Sequence, residues 1–332
     1  MQKTTNPTMK DVAKQAGVAL GTVSKVINNQ SVGEEYRIKV EDAIKVLDYK
    51  VNTYARGLKT QKTYTVAMII PDITNPFFAA LAHHTELYLY EKGYKLLLCC
   101  SQGKCDKELF YINMVSLNKV DGIIALTYSD ISAHVSSDLP FISIDRHFNN
   151  SIHCVASDNY NGGFIATQKL IEAGCKHPVF VRTGSVIYGE TNKRKYGYLD
   201  ACSKNNIEPL LLELIDSDDD TIRCFEEFLK KTRTEDGKIG IDGIFAVTDL
   251  VGYEIIQYLH SINVRVPEDI QVVGYDGIRH FGCLDFYLST IYQPIDLIAQ
   301  ACVNILLSPD HTEYANPYLL PVEYRYGKTT IL

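Results

Sequence analysis

The sequence predicts an α/β protein in which a small all-α head precedes a larger body of two lobes, each with a doubly wound parallel sheet. Two patterns predict this fold. Before residue 49, apolar residues recur at helical spacing in three short segments. After residue 62, short and almost continuously apolar runs alternate with amphipathic segments in two successive series, as expected for strands covered by helices on both faces. A chain of 332 residues is also long enough for two or three compact units.

The head begins with two short helices joined by a tight turn. Thr8 is a suitable N-cap with Asp11 as its capping-box partner, and Gly17 can take the positive φ that ends the first helix. The second helix is predicted at about residues 19–27, and a third at roughly residues 34–48. The first two helices form a helix-turn-helix, the unit that places its second helix in the major groove of DNA.

The second helix of this unit has an apolar face and a small, polar face. Val23, Val26 and Ile27 recur at the spacing of a buried stripe. The outward-facing set consists of Leu20, Gly21, Thr22, Ser24 and Lys25. We therefore expect the outward face to contact the bases and phosphates of double-stranded DNA.

Charge is divided unevenly along the chain. Residues 1–62 contain 11 Lys and Arg against 6 Asp and Glu, a net charge of +5, whereas the remainder carries −12 and the whole chain −7. A basic head on an acidic body suits a DNA-binding module attached to a body that phosphate repels.

The body contains a series of predicted buried strands separated by helices. The strands are the segments 65–71, 94–101, 120–127, 140–145, 177–183, 242–249 and 270–276. The helices are predicted at residues 75–92 and 106–118, and from near Asn161, Arg194, Thr221 and Leu250. Residues 318–326 are expected to supply late strands. We expect the chain to cross between the lobes near residues 158–163, 290–294 and 321.

Polar side chains recur where the predicted strands end. In open parallel sheets, ligands bind beyond the carboxyl ends of the strands. The strand-end residues are therefore candidates for one polar cleft: Asp72, Asn75, Tyr128, Asp145, Arg146, Asp158, Asn159, Thr248, Asp249 and Asp276. Arg194 opens a helix in the same series and joins them as a candidate. Each of them taken singly also fits a helix cap or a loop position, and only their common placement favours a cleft.

Several function classes lack their sequence signatures. The chain has no apolar run near 18 residues, so no membrane span is expected, and residues 1–10 lack the apolar stretch of a signal peptide. The nine cysteines form no C-x-x-C pair, which favours reduced thiols over disulfides or metal ligands. Motifs of hydrolases, phosphate-binding loops, zinc proteases and dinucleotide-binding enzymes are absent from the sequence. We therefore expect a cytoplasmic protein that is no enzyme and carries no metal and no cofactor.

The head resembles that of the lac repressor family of bacterial regulators. The resemblance lies in KDVAKQAGV, TVSKVIN and NTYARGL, at residues 10–18, 22–28 and 52–58. The last segment matches the family's hinge helix, which folds on operator DNA, pairs with its dimer mate and wedges a leucine between base pairs in the minor groove. By this match Leu58 is the wedge. The implied DNA contacts are Thr8, Leu20, Gly21, Thr22, Ser24, Lys25, Asn28, Asn52, Tyr54, Ala55, Arg56 and Leu58.

The body is similar to the effector domain of the same family, which is itself like the periplasmic sugar-binding proteins of type I. The resemblance lies in PDITNPFF, SDNYNGG, RKYGY, GYDG and STIYQP. The implied ligand contacts are Asp72, Asn75, Phe77, Tyr128, Asp145, Arg146, Asp158, Arg194, Asp249, Asp276 and Phe281. Carboxylates and an arginine can bind vicinal hydroxyls bidentately, and Phe77, Tyr128 and Phe281 are candidate platforms for the apolar face of a sugar ring.

The resemblance also implies a division of the chain into domains. Residues 1–48 are then the DNA-binding head, residues 49–62 the hinge helix and linker, and residues 63–332 the effector-binding and dimerisation domain. Lobe 1 of this domain takes about residues 63–160 and 292–320, and lobe 2 about residues 161–291 and 321–332.

The function implied is that of a homodimeric repressor of sugar uptake or utilisation genes. Its expected partners are a pseudo-palindromic operator and a sugar or sugar phosphate that releases the repressor from that operator. No membrane partner is expected. A purine corepressor, a phosphocarrier protein acting as corepressor, and a sugar-binding protein or enzyme with an accessory head stay open as alternatives.

Several positions depart from the family's usual residues. Ala19 replaces a serine cap, Asp48 a glycine, Val51 a proline, and Thr248 stands where relatives commonly carry asparagine. In the recognition helix, Gly21 has no side chain, and the lysine at position 25 lacks the fork of an arginine. The operator sequence therefore does not follow from the resemblance.

Overall fold

A computed structural model describes residues 7–28, 30–49, 62–135, 139–148, 152–184, 187–215, 220–279 and 285–331. The chain separates into two compact units, Met1–Thr63 and Tyr64–Leu332. Six of the predicted contact residues lie outside the described residues: Asn52, Tyr54, Ala55, Arg56, Leu58 and Phe281.

The head consists of α1 (Met9–Ala16), α2 (Leu20–Ile27) and α3 (Glu34–Val46). One apolar face of each helix points to a shared core, which confirms the three predicted helices. The core residues are Val12, Ala13, Val23, Val26, Val40, Ala43 and Tyr49.

Local chemistry sets the ends of these helices. Thr8 and Asp11 form the predicted capping box, in which the backbone N–H of Thr8 donates to Asp11 Oδ2 at 2.8 Å, and Gly17 ends α1 with φ at 64°. The third helix ends at Val46, two residues before the predicted end, because Asp48 takes the left-handed conformation with φ at 46°. Such a conformation favours the glycine that the family resemblance expects there.

The recognition helix α2 begins without a side-chain cap. Its N-cap residue is Ala19, whose extended backbone (φ −66°, ψ 147°) suits a capping serine but whose methyl group accepts no hydrogen bond. We expect Ala19→Ser to stabilise α2 by about 1 kcal/mol, since a hydroxyl there can accept a hydrogen bond from the N–H of the second or third helical residue. Hydrogen exchange of the α2 amides in the full chain measures this gain, and exchange at the wild-type rate would contradict it.

The body contains twelve strands and seven α-helices in the part of the chain that the structure describes. The strands are β1 (Thr65–Ile70), β2 (Lys95–Cys100), β3 (Gly122–Ala125), β4 (Phe141–Ile144), β5 (His153–Ser157), β6 (Pro178–Gly184), β7 (Leu210–Ile215), β8 (Gly243–Ala246), β9 (Gln271–Asp276), β10 (Ser289–Tyr292), β11 (Tyr318–Leu320) and β12 (Glu323–Arg325). The helices are α4 (Pro76–Glu91), α5 (Cys105–Leu117), α6 (Asn159–Glu172), α7 (Lys193–Lys204), α8 (Thr221–Lys231), α9 (Asp249–Ser261) and α10 (Ile295–Leu307). All seven predicted strands and all six predicted helices of the body are therefore present.

The strands form two six-stranded sheets, one in each lobe. The first sheet has the order β11-β5-β4-β3-β1-β2 and is parallel throughout. The second has the order β12-β10-β9-β8-β6-β7 and is parallel except at one edge, where β12 runs antiparallel to β10. The strand order therefore reverses between β3 and β1, and between β8 and β6, which makes a switch point at the carboxyl ends of each sheet.

Each lobe has its own apolar core. The first-lobe core contains residues of β1 and of α4 and α10, among them Met68, Leu81 and Val303. The core of the second lobe is centred on the aromatic residues Phe180, Tyr198, Phe245 and Tyr275. The chain passes between the lobes after β5, after β10 and between β11 and β12.

Helices in the described residues are too short or too polar to cross a membrane.

Candidate functional site

A cavity of about 300 Å³ lies at the carboxyl ends of the strands of both sheets. Its lining comes from the segments that follow β1, β3, β4, β8 and β10, and from the last residues of β6 and β9. The lining residues are Asn75, Phe77, Phe78, Leu126, Tyr128, Asp145, Arg182, Thr183, Gly184, Ile187, Thr191, Arg194, Val247, Thr248, Asp276 and Gln293. The switch points of the two sheets therefore meet at one site, and six of the predicted contact residues line it.

Two carboxylates line the cavity from opposite lobes. Asp145 follows β4 in the first lobe and Asp276 ends β9 in the second. Both residues have positive φ, 57° and 133° respectively, which is unfavourable for a residue with a side chain and typical of functional positions. Burial raises the pKa of both carboxyls, and the positive charge of Arg194 opposes the rise in each case.

Arg194 lies in the first turn of α7 and is only 3% exposed. Its Nε donates to Asn159 Oδ1 at 2.7 Å, and its Nη1 donates to the carbonyl oxygen of Val247 at 2.6 Å. The guanidinium also stacks on Tyr275, 3.6 Å from the ring centroid. These contacts hold the guanidinium firmly in the wall of the cavity.

Gly163 allows the backbone of Arg194 to approach closely enough for this position of its side chain. A Cβ at Gly163 would lie 2.0 Å from the carbonyl oxygen of Arg194, and a Cβ at Gly197 would lie 2.0 Å from that of Tyr160. The two helices α6 and α7 therefore approach each other backbone to backbone, which only glycine allows.

Hydrogen bonds beside the cavity connect the two lobes. Ser157 Oγ donates to Gln293 Oε1 at 2.7 Å, and Gln293 Nε2 donates to Asp276 Oδ1 at 2.8 Å. Asn159 forms a second connection, because its Nδ2 donates to the carbonyl oxygen of Ser157 at 2.9 Å while its Oδ1 accepts from Arg194. Arg194 and Asp276 are thus both connected by hydrogen bonds to residues where the chain crosses between the lobes.

The first-lobe wall of the cavity is built on the start of α4. Asp72 Oδ1 accepts from the backbone N–H groups of Thr74 at 2.8 Å and of Asn75 at 2.9 Å. Asn75 Oδ1 in turn accepts from the N–H of Phe77 at 2.9 Å. Asn75 and Phe77 line the cavity, whereas Asp72 does not. Its carboxylate orders the turn instead, and the hydrogen bond from the Thr74 hydroxyl lowers its pKa.

Three other predicted contact residues do not line the cavity. Arg146 points away from it, with Nη1 donating to the carbonyl oxygen of Ser129 and the guanidinium 4.4 Å from the Phe148 ring centroid. Asp158 is the N-cap of α6, and its Oδ1 accepts from the N–H of Asn161 at 3.0 Å. Neither side chain lines the cavity in this structure, because Arg146 holds a loop and Asp158 caps a helix.

Asp249 is the third of these residues, and it lies behind the cavity wall. It is fully buried at the start of α9, where Oδ1 accepts from the Thr290 hydroxyl at 2.6 Å and Oδ2 from the N–H of Ile278 at 2.7 Å. Burial raises its pKa to about 6. Asp249 therefore anchors the segments that follow β9 and begin β10 and does not line the cavity.

Nine lining residues were not among the residues collected from the sequence: Phe78, Leu126, Arg182, Thr183, Gly184, Ile187, Thr191, Val247 and Gln293. Thr183 ends a predicted strand and Gln293 lies in the STIYQP motif, so the strand-end rule and the motif pointed to this region. No pattern marks Ile187 or Thr191, because they lie in the connection before α7. Tyr128 lines the cavity as predicted.

The outward face of α2 is accessible in the head. Leu20 is 44% exposed, and Gly21 and Lys25 are exposed beside it. No atom of the described residues lies within 4 Å of the position that a Cβ on Gly21 would take. Asn28 Nδ2 donates to the carbonyl oxygen of Ser24 at 2.7 Å and thereby closes the end of the helix. Together with the partly exposed Thr22 and Ser24, these residues form a surface that another molecule can reach.

No group of three or more potential metal ligands is present among the described residues. Cys99, Cys154 and Cys302 are buried thiols within the body.

The two units match two family models. Residues 8–52 match "Bacterial regulatory proteins, lacI family", and residues 63–309 match "Periplasmic binding proteins and sugar binding domain of LacI family". The two matches together cover the head and most of the body.

Individual proteins match over nearly the whole chain. The "Sucrose operon repressor" of Pediococcus pentosaceus is 36% identical over 97% of this chain and 99% of its own length. A LacI transcriptional regulator or periplasmic binding protein from Alkaliphilus metalliredigens QYMF, solved in complex with D-xylulofuranose, is 28% identical, with a TM-score of 0.68 over 81% of this chain and 100% of its own. The lac repressor dimer bound to operator has a TM-score of 0.83 at 20% identity, over 99% of this chain and 100% of its own, and shows the common fold. The chain therefore belongs to the LacI family of bacterial regulatory proteins and is a ligand-responsive, DNA-binding repressor.

Proposed function

We propose that this repressor controls genes of sugar uptake or utilisation, and that a sugar bound in the cavity between the lobes releases it from its operator. The observation that carries the proposal is the meeting of Asp145, Arg194 and Asp276 at one cavity, at the carboxyl ends of both sheets. A sucrose operon repressor that is 36% identical and a structural relative solved with a pentulose favour a sugar over a purine or a phosphocarrier protein.

The chemistry of the cavity suits a polyol. Carboxylate oxygens accept from hydroxyl groups, and a guanidinium donates to hydroxyl oxygens, so Asp145, Asp276 and Arg194 can together bind neighbouring hydroxyls. Phe77 and Tyr128 offer aromatic surface to the apolar face of a sugar ring. A volume of about 300 Å³ lies at the lower end of the range for small-molecule sites.

Ligand binding is coupled to lobe closure because each lobe contributes part of the site. Asp145 belongs to the first lobe, whereas Arg194 and Asp276 belong to the second. A ligand that bonds to both lobes binds the closed arrangement more tightly than the open one. The ratio of closed to open protein therefore rises by at most the ratio of the ligand's affinities for the two states. The Asn159 and Gln293 hydrogen bonds lie where the chain crosses between lobes, so they adjust as the lobes move.

The head supplies the contacts with operator DNA. We assign base contacts to Leu20, Gly21 and Lys25 on the exposed face of α2, and phosphate contacts to Thr22 and Ser24. The protein acts as a homodimer on a pseudo-palindromic operator, in the cytoplasm where the chromosome lies.

A titration of the full chain into a fluorescent pseudo-palindromic duplex with a central CG step tests this function by anisotropy. We expect tight binding that weakens steeply as salt is added, as phosphate contacts require. We also expect one sugar from a panel of neutral and phosphorylated sugars to release the protein from the duplex. Binding strengthened by a purine would identify a corepressor instead. Absence of salt-dependent binding would favour a sugar-binding protein or enzyme with an accessory head, the class that the repressor relatives do not favour.

We expect Leu58→Ala to weaken operator binding by at least about 10-fold, because the resemblance makes Leu58 the wedge that keeps the minor groove open. Its sugar affinity should match that of the wild type, since residue 58 belongs to the 52–58 hinge segment and precedes the effector-binding domain predicted at residues 63–332. Anisotropy and calorimetry measure the two affinities. Wild-type operator affinity would remove residue 58 from the DNA contacts.

A further inference from the structure

The turn that ends β9 holds Asp276 in an unfavourable backbone conformation. Asp276 has φ at 133°, and the next residue, Gly277, has φ at 78°. A residue with a side chain keeps such a conformation only where the surrounding contacts determine it. Because Asp276 lines the cavity, the contacts that hold this turn also set the position at which its carboxylate meets a ligand.

Asp249 and Thr290 hold the turn from behind the cavity wall. Thr290 Oγ1 accepts from the N–H of Gly277 at 3.2 Å and donates to Asp249 Oδ1 at 2.6 Å. Asp249 Oδ2 accepts from the N–H of Ile278 at 2.7 Å. The two backbone N–H groups that directly follow Asp276 are therefore both fixed, one by the hydroxyl of Thr290 and one by the carboxylate of Asp249.

The carboxylate of Asp249 also packs against β9 itself. A Cβ on Gly274, two residues before Asp276, would lie 2.2 Å from Asp249 Oδ1. Asp249 and Thr290 are both fully buried. Burial raises the pKa of Asp249, while the hydrogen bond from Thr290 and the charge of Arg194 oppose the rise. A change at Asp249 is therefore transmitted directly to the end of the strand that carries Asp276.

We infer that Asp249 is a positioning residue for the effector: with Thr290 it fixes the backbone of Asp276, and it thereby sets the sugar affinity without touching the sugar. Asp249 does not line the cavity, so this effect passes through Asp276. Gln293 Nε2 holds the carboxylate of Asp276 separately, at 2.8 Å from Oδ1. The inference rests on the proposed function, because it names a residue that positions a contact of the proposed sugar.

A pair of substitutions at Thr290 tests the hydroxyl that connects Asp249 to the turn. The measurement is calorimetry on the full chain, with whichever of glucose, fructose, sucrose, ribose and fructose 6-phosphate binds the wild type most tightly. Thr290→Val removes the hydroxyl at nearly constant volume and should weaken sugar binding by about 10-fold. Thr290→Ser keeps the hydroxyl and should restore most of the affinity.

A double-mutant cycle tests whether Asp249 acts through Asp276. Asp249→Asn leaves one acceptor oxygen in place of two, so a contact with the turn is lost and sugar binding should weaken by about 10-fold. In the Asp276→Asn background, the same substitution should change sugar affinity by less than about 2-fold. A general defect of the second lobe would instead weaken binding in both backgrounds. Operator affinity without sugar should equal that of the wild type.

Asp242→Asn is the matched control. Asp242 also fixes two backbone N–H groups, those of Lys176 at 2.7 Å and His177 at 2.8 Å. It directly precedes β8, at the amino end of the same sheet and therefore away from the cavity. Its substitution should lower stability without changing sugar affinity, which separates loss of stability from loss of positioning.

Three results would overturn the inference. If Thr290→Val and Asp249→Asn bind sugar as the wild type does, or if Asp249→Asn weakens binding equally with and without the Asp276 carboxylate, the positioning role is wrong while sugar-controlled repression stands. If none of the sugars binds the wild type, the inference fails together with the proposed effector class.

Discussion

Asp276→Asn is expected to weaken sugar binding by about 10- to 100-fold, because it replaces a carboxylate that accepts from ligand hydroxyls with an amide that accepts less strongly. The substitution preserves the shape of the side chain and an Oδ1 that can still accept from Gln293 Nε2, the 2.8 Å bond that connects the lobes. Asparagine also tolerates unusual backbone conformations better than most residues, which matters at φ of 133°. The variant therefore tests the charge and not the fold.

The measurement is calorimetry with the sugar that binds the wild type most tightly, together with anisotropy on operator DNA. Operator affinity without sugar should equal that of the wild type, while release by sugar should be lost or shifted to much higher concentration. Asp276→Ala should have the same outcome with a larger loss. Asp269→Asn is a matched control, because Asp269 pairs with Arg265 at the surface. An unaltered sugar response in Asp276→Asn would remove this residue from the site.

Arg194→Met is expected to lower the free energy of unfolding by about 3 kcal/mol, the cost of breaking a buried charge pair. Arg194 donates to Asn159 and to the carbonyl oxygen of Val247, and its charge opposes the rise in pKa that burial causes at Asp145 and Asp276. Without the guanidinium, both carboxylates lose their compensating charge. The effector response should be lost in the same variant.

The stability deficit of Arg194→Met should depend on pH in a defined direction. Removing the cation raises the folded-state pKa of both carboxyls further above their unfolded values. An acid whose folded-state pKa is raised destabilises the fold as pH rises through the interval between the two values. Urea unfolding should therefore show a larger deficit at pH 8 than at pH 5. Arg223→Met, which removes an exposed ion pair on α8, should show no such trend, and a deficit independent of pH would contradict the compensation by Arg194.

Most of the fold could be predicted from local patterns. The apolar runs at residues 65–71 and 270–276 became β1 and β9, because strands buried on both faces need uninterrupted apolar sequence. Three strands were not predicted: the edge strand β7 is half-buried along its whole length, and the short strands β5 and β10 contain polar residues. Neither pattern distinguishes a strand from a loop.

The candidate site could be predicted in outline, because parallel strands bring their carboxyl ends to one edge. That rule found Asp145 and Asp276, and the start of a predicted helix added Arg194; all three line the cavity. It could not separate them from Asp158 or Asp249, since a carboxylate after a strand can cap a helix or anchor a neighbouring loop equally well. Only the direction of the side chain decides between these roles, and that direction depends on contacts between segments far apart in the chain.

The sequence by itself determined the helix-turn-helix, the alternation of strands and helices, and the family, because each depends on residues close together in the chain. The tertiary structure decided which polar groups share the cavity, since Arg182 enters it from the end of β6 and Gln293 from the crossing after β10. It also decided the charge of the site. An arginine on a strand is expected at the surface from the sequence alone, whereas the structure buries Arg182 and Arg194 in the wall of one cavity.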